Sequence, residues 1–313
     1  MEWLSAQLGL RLDAFRRHPG FVDGAAARDH IESYLATIHE RGEVHVLERS
    51  GRVEAVIAWR YDDDSWFGPA VHTLTLDHRI GADVEPWLRD TLAEVLPRLD
   101  APLDIMIDAA YAPAYRALTG LGLRVDSVQL VGDVEVAFRR LDPGVVPAGV
   151  RIDRMVADDL EPIMALYEQT FAAEPEYCWF GGHPRFLERQ RERLEAALAK
   201  EAHLELVVRA DGGVRAHASA TVNPDNPVWG PTSGMSLCFA PEMRGRGLLR
   251  PVYRRLLEGM REQGAVIFKG GTSQPAVMKL GREMKRTLQG VNLRRGAPFD
   301  EAHFAPYLPL RAP

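Results

Sequence analysis

The hydrophobic positions of this chain change period along its length, and the changes mark out its elements. Residues 235–240 alternate, with Met235, Leu237 and Phe239 on one face and Ser236, Cys238 and Ala240 on the other. A two-residue period predicts a strand. Pro241 has no amide to give to a sheet ladder and ends it. Arg244-Gly245-Arg246-Gly247 follows, and then Leu249, Val252, Tyr253, Leu256, Leu257 and Met260 recur at the spacing of an apolar helix stripe. Pro251 falls in the first turns of that helix, where proline is tolerated.

Ahead of this segment, Trp3, Leu4, Leu8 and Phe15 are spaced for a short helix, or for an arm packed on the body. Residues 25–39 predict a helix with Ile31, Tyr34, Leu35 and Ile38 on one side. VHVLERSGRVEAVIAW (44–59) reads as two strands joined by Ser50-Gly51. Asp62-Asp63-Asp64 reads as a solvated turn, since no Asp/Asn ladder for calcium follows. A strand at 71–78, a helix at 84–96, the apolar strand LDIMID (103–108) and a helix at 112–121 come next. The chain then returns through VDSVQLVGDVEVAF (125–138).

The proline- and glycine-rich stretch 142–149 is the expected joint between a domain of residues 1–141 and one of residues 150–313. Beyond it, VRIDRM (150–155) predicts a strand. Asp158 or Asp159 caps a helix carrying Leu160, Ile163, Met164, Tyr167 and Phe171 on one face. A loop over 172–182, a charged helix over 185–200 and the hairpin LELVVRADGGVRAHASATV (204–222) lead to the segment described first. AVIFKGG (265–271) is then a strand, 272–286 a helix, and VNLRR with the closing FAPYLPLR is available to finish a sheet. Val53 of the first half corresponds to Val214 of the second, a period of about 160 residues that means duplication of a domain rather than a solenoid.

Composition narrows the function. A chain of 313 residues with 46% hydrophobic and 26% charged positions suits two soluble globular domains. A net charge of −6 argues against a general nucleic-acid binder. Two cysteines, Cys178 and Cys238, offer neither a disulfide framework nor a zinc set, so no metal is expected. The opening MEWLSAQLGLRLDAFRRHPG lacks the basic leader and unbroken apolar core of a signal peptide. No run approaches the roughly 18 apolar residues of a membrane span. A cytoplasmic monomer or homodimer is expected, without a membrane or nucleic-acid partner. No GxSxG elbow, HExxH helix or Walker loop occurs.

A strand, a Gly/Arg turn and a helix leave free amides at the positive end of a helix dipole, a setting for phosphate. That order, with the loop Arg244-Gly245-Arg246-Gly247-Leu248-Leu249, resembles motif A of the GNAT superfamily of N-acetyltransferases. In that superfamily the loop (Q/R)-x-x-G-x-(G/A) wraps the pyrophosphate of acetyl-CoA. Leu249 stands where Gly or Ala is usual. APAYRALTGLGL (112–123) resembles the family's helix followed by Gly-Phe. The resemblance runs from about residue 25 onward, and both halves follow the order strand, helices, three antiparallel strands, helix, strand, helix, strand. The first half has DHRIGAD (77–83) in place of the loop, where Asp77 and Asp83 would repel a pyrophosphate. One competent and one degenerate half is an arrangement similar to that of mycothiol synthase and some antibiotic-modifying acetyltransferases.

The resemblance implies an α/β (α+β) fold of two tandem domains, each a mixed, mostly antiparallel sheet flanked by helices. It implies an N-acyltransferase that moves an acetyl group from acetyl-CoA, or the acyl group of another acyl-CoA, to a primary amine of a small molecule. The pyrophosphate then belongs on Arg244, Gly245, Arg246, Gly247, Leu248 and Leu249, and the pantetheine along Leu237 to Phe239. Phe239 supplies an oxyanion amide with Cys238 beside it, and Ser273 falls near a CoA contact. Leu280 occupies the place of the family's general-acid tyrosine. Tyr177 is either a substitute acid or a buried structural tyrosine. Candidates for the base are Glu174, Glu176, Asp225 and His217, whose ordinary pKa near 6.5 suits proton pickup unless it is a packed bystander. Glu174 and Glu176, flanking Pro175, would also attract a cationic amine, with Trp179 and Phe180 as flat apolar walls, the rival reading being a solvated loop whose aromatics plug a core edge. Asp225 is a further candidate for holding the acceptor. From a different class, a non-catalytic acyl-CoA sensor or ligand-binding tandem protein accounts for the same loop.

Overall fold

A computed structural model describes residues 3–173, 179–200 and 203–308. The first half contains α1 (Leu4–Phe15), α2 (Ala25–Arg41), β1 (Glu43–Arg49), β2 (Arg52–Asp62), β3 (Val71–His78), α3 (Glu85–Val95), β4 (Leu103–Asp104), β5 (Met106–Asp108), α4 (Ala112–Gly120), β6 (Leu123–Asp133) and α5 (Val134–Arg140). The second contains β7 (Arg151–Arg154), α6 (Leu160–Ala173), α7 (Pro184–Leu198), β8 (Leu204–Ala210), β9 (Gly213–Asn223), β10 (Thr232–Phe239), α8 (Leu249–Glu262), β11 (Ile267–Thr272), α9 (Pro275–Glu283), β12 (Thr287–Arg295) and α10 (Glu301–Phe304).

The strands form two mixed sheets, ordered β1-β2-β3-β4 and β5-β12-β6-β11-β10-β9-β8-β7. The second order crosses the joint at 142–149. β6, from the first half, lies between β11 and β12, with Val128 opposite Thr272 on one side and Val291 on the other. β12, from the second half, reaches β5 of the first, with Val291 opposite Ile107. Each half thus contributes a strand that pairs with strands of the other, and the sheets do not divide where the composition does. Alternation alone had no means of showing this, because β6 and β12 read as strands wherever they pair.

Several elements differ from the sequence pattern for local reasons. LDIMID splits into β4 and β5 around Ile105, because its two ends join different sheets. The stretch after it changes state at Asp133, whose carboxylate accepts the Val136 amide at 2.7 Å and caps α5. The helix expected over 272–286 is shorter. Thr272 still belongs to β11, Pro275 starts α9, and Lys285, at φ 59°, closes the turn after it. Of the closing FAPYLPLR, Phe304 ends the short helix α10, which Asp300 caps, residues 305–308 follow it without joining a sheet, and 309–311 lie outside the described residues.

Two large apolar cores result. One packs α6 and α8 against opposite faces of β8–β10. The other joins β3, α3 and α4 to Val128 and Leu130 of β6 and to Val291 and Leu293 of β12. A smaller cluster buries Leu4, Leu8 and Leu12 of α1 with Ile31 and Leu35 of α2 against Val228 and Trp229 of the second half. Among the described residues, no helix is long and apolar enough to cross a membrane.

Candidate active site

The parallel pair β10/β11 is hydrogen-bonded over three rungs only, from Thr232 opposite Ile267 to Gly234 opposite Lys269, and then the strands part. A cleft of about 490 Å³ fills the gap. Met235, Leu237 and Phe239 form one wall, Gly270, Gly271 and Thr272 the other, and Val277 and Leu280 of α9 close one side. The β10 amides that face away from β9 point into this gap. Ala240 gives its amide to Arg215 of β9, so the alternating neighbours at 237 and 239 are directed towards the missing rungs.

At its open end the cleft runs into the loop before α8, where Arg244, Gly245, Gly247, Leu248 and Leu249 line it. Gly245 at φ 74° and Gly247 at φ 78° hold left-handed backbone that a side chain would strain. Among the described residues, no backbone carbonyl takes up the amides of residues 245–250, and Pro251 removes a further competitor for the helix start. The result is an apolar trough ending in a cluster of unused amides at a helix N-terminus, with Arg244 beside it. Arg246 is exposed next to the loop, outside the cleft wall.

Deeper in, the cleft meets two polar side chains that the sequence pattern did not single out. Tyr253 of α8 and Arg286 both line it and are both buried. Arg286 lies over the Phe268 ring and donates to the Leu130 carbonyl at 2.7 Å and the Gly270 carbonyl at 3.1 Å. Burial lowers its pKa, since no carboxylate offsets the desolvation. The Tyr253 hydroxyl is pushed up by burial, and its hydrogen bond with Arg286 works against that shift. At the side of the cleft, Arg250 and Glu283 pair at 2.5 Å.

Lys269 was missed as well. It sits on the last β10/β11 rung, on the face away from α8, with its Nζ 3.3 Å from the Trp229 ring centroid. Burial pulls its pKa down to about 7. On that face Gly234, Ser236 and Gly271 are exposed, so the sheet is open there. A single lysine in an apolar strand followed by two glycines is the only trace of this in the sequence.

His217 lies directly opposite Cys238 on the neighbouring strand. It is buried, with Nδ1 2.6 Å from the Tyr167 hydroxyl and Nε2 2.9 Å from Glu205. Arg193 donates to Glu205 at 2.8 Å and to the Tyr167 hydroxyl at 3.3 Å. Burial lowers the His217 pKa despite the pull of Glu205. Burial would raise Glu205, but its contacts with His217 and Arg193 outweigh that and hold it low. The imidazole is therefore neutral at pH 7 and sealed behind Cys238, which lines the cleft where His217 does not.

The other candidates fall in varied places. Trp179 and Phe180 pack with Phe67 of the first half, at 4.9 and 5.0 Å between ring centroids, away from the cleft wall. Asp225 is exposed in the turn after β9. Ser273 is buried behind the wall, while its neighbours Thr272 and Gln274 line it. Glu174, Glu176 and Tyr177 lie outside the described residues. Among the described residues, no group of His, Cys, Asp or Glu side chains is arranged to hold a metal.

No family model and no curated protein matches the sequence. Solved structures do. A GCN5-related N-acetyltransferase from Sphaerobacter thermophilus superposes with a TM-score of 0.60 at 12% identity, over 93% of this chain and 90% of that one. An acetyltransferase of the GNAT family from Colwellia psychrerythraea gives 0.51 at 12% identity, over 93% and 96%. The glucosamine N-acetyltransferase region of a fungal multi-domain β-N-acetylglucosaminidase gives 0.54 at 15% identity, over 93% of this chain and 36% of that one. With two mixed sheets, helices on both faces and a parallel pair that splays beside a glycine-turned helix start, the chain has the fold of the GCN5-related N-acetyltransferases.

Proposed function

We propose that the second-half cleft binds acetyl-CoA, or another acyl-CoA, and passes the acyl group to a primary amine of a small molecule. The observation that carries this reading is the continuity of the cleft: an apolar trough between parted parallel strands leads into unpaired loop amides at the start of α8. Such a shape suits a long molecule with an anionic middle and an apolar, amide-bearing arm.

Within that reading the chain's own groups divide the work. The amides of residues 245–250 hold the diphosphate, with Arg244 adding charge. The inward amides of Leu237 and Phe239 pair with the arm and offer a donor to a carbonyl oxygen that gains negative charge. The cofactor supplies the activated thioester. Tyr253, braced by Arg286, is the one phenol on the cleft wall among the described residues, which suits it to return a proton to the departing thiolate. This substitutes for a tyrosine at the position of Leu280. The amine approaches from the open face at Gly234 and Ser236, near Lys269.

A second reading, acyl-CoA binding without turnover, draws on one feature. Among the described residues, Glu283 is the only carboxylate on the cleft wall, it is paired with Arg250, and no histidine joins it. One assay separates the two. Thiol release from acetyl-CoA is followed with a panel of primary amines, and the transferase reading expects amine-dependent release that Tyr253→Phe slows by roughly 10²-fold. Saturable binding of acetyl-CoA with no amine-dependent release across the panel contradicts it and favours the sensor.

A further inference from the structure

The first half has a cleft of its own at the corresponding place. β3 and β4 pair in parallel at only two rungs, His72 opposite Leu103 and Thr73 opposite Asp104, and there the strands part. A cavity of about 570 Å³ opens beside them. By the internal period, Thr73 corresponds to Gly234, which puts Asp104 at the rung that Lys269 holds in the second half. The charge at this rung is inverted between the two copies.

This cleft is unsuited to an anion. The loop after β3 spends its amides internally: Arg79 gives its amide to Glu54, Ala82 to Arg79 and Val84 to Ala82. Asp77 stands at the end of the strand, matched by Arg11 at 2.7 Å and Gln7 at 2.7 Å. Asp108 is matched by His18 at 2.8 Å. Asp104 is the carboxylate left over, with neither a hydrogen bond nor an ion pair among the described residues. Burial raises its pKa, and Asp62 nearby raises it further.

Arg11, committed to Asp77, also lines the wall with His30 and the hydroxyls of Ser33, Thr37, Thr73 and Thr75. Phe15, Tyr34, Met106 and Trp229 supply its aromatic and apolar part. Tyr34 is 44% exposed and Met106 40% exposed, so large apolar groups remain in solvent at a cavity whose interior holds an unmatched negative charge. A ligand with a cationic head and a flat apolar body satisfies both, by ion pairing and by contact with aromatic faces. We propose that this first-half cavity is a binding site for a small arylalkylammonium ligand, with Asp104 taking the ammonium and the exposed Tyr34 the ring. The proposal does not rest on acyl transfer in the second half.

Calorimetric titration of the full-length protein with tyramine, benzylamine and the neutral 2-(4-hydroxyphenyl)ethanol tests it. The expected result is saturable one-site binding of at least one amine, much weaker binding of the alcohol, and a loss of roughly tenfold or more in Asp104→Asn. The variant should melt no lower than the parent, since an unmatched, half-buried charge is removed, which separates lost binding from lost fold. Gly247→Val, in the opposite half, should bind the amine normally. Absence of saturation by either amine, or equal affinity in Asp104→Asn, overturns the proposal.

Discussion

At the scale of single residues, Lys269 makes the sharpest prediction. Its ammonium is desolvated between sheet and Trp229, and its pKa falls from 10.5 to about 7. Between those values the unfolded chain binds a proton that the folded chain does not, so stability climbs as pH rises from about 7 towards 10.5. The Trp229 face favours the charged form and reduces the effect. Lys269→Met should therefore stabilise the protein by about 1–3 kcal/mol at pH 6, with the gain shrinking towards pH 10. Urea unfolding at the two pH values checks this; a variant less stable at pH 6 contradicts it. His217 shows what a sequence can and cannot say of one residue. Its alternation in β9 was legible, but whether it meets solvent or Tyr167 and Glu205 depends on elements 50 and 12 positions away in the chain.

At the scale of elements, the loop before α8 was the most legible part. Glycines at two left-handed positions, a proline in the first turn and an apolar stripe all agree, because turn chemistry and helix period are local properties. Gly247→Val places a β-branched residue at φ 78°. It should cost about 1–2 kcal/mol of stability and reorient the amides, weakening CoA binding by roughly tenfold or more. Equilibrium dialysis alongside unfolding measures both, and unchanged CoA affinity would detach the loop from the cofactor. The helix expected over 272–286 failed at its ends for a reason invisible to periodicity: Thr272 is still paired with Val128 of β6.

Pairing of this kind decides the architecture at the scale of the whole molecule. The repeat of hairpin, strand and helix in the two halves was legible, whereas the strand crossing was not, since β6 and β12 carry the same alternation with any partner. The crossing has a mechanical consequence. A fragment of residues 150–313 would lack β6, leaving β11 and β12 without the strand between them, and residues 1–141 would lack β12 beside β5. Bare edges and split cores of this size favour aggregation over folding. Each fragment expressed alone should be insoluble or poorly folded by circular dichroism, and co-expression should recover a soluble complex. A cooperative unfolding transition from either fragment alone contradicts this coupling.

The central claim is that unused amides near Gly247 hold the diphosphate of a nucleotide thiol, and thermal unfolding with CoA and with pantetheine tests it most directly. Pantetheine shares the apolar arm but lacks the diphosphate. At about 1 mM ligand, CoA should raise the melting temperature by several degrees, as a ligand well above its Kd does, and pantetheine should raise it far less. A melting temperature that ignores CoA, or that responds equally to both, contradicts the account.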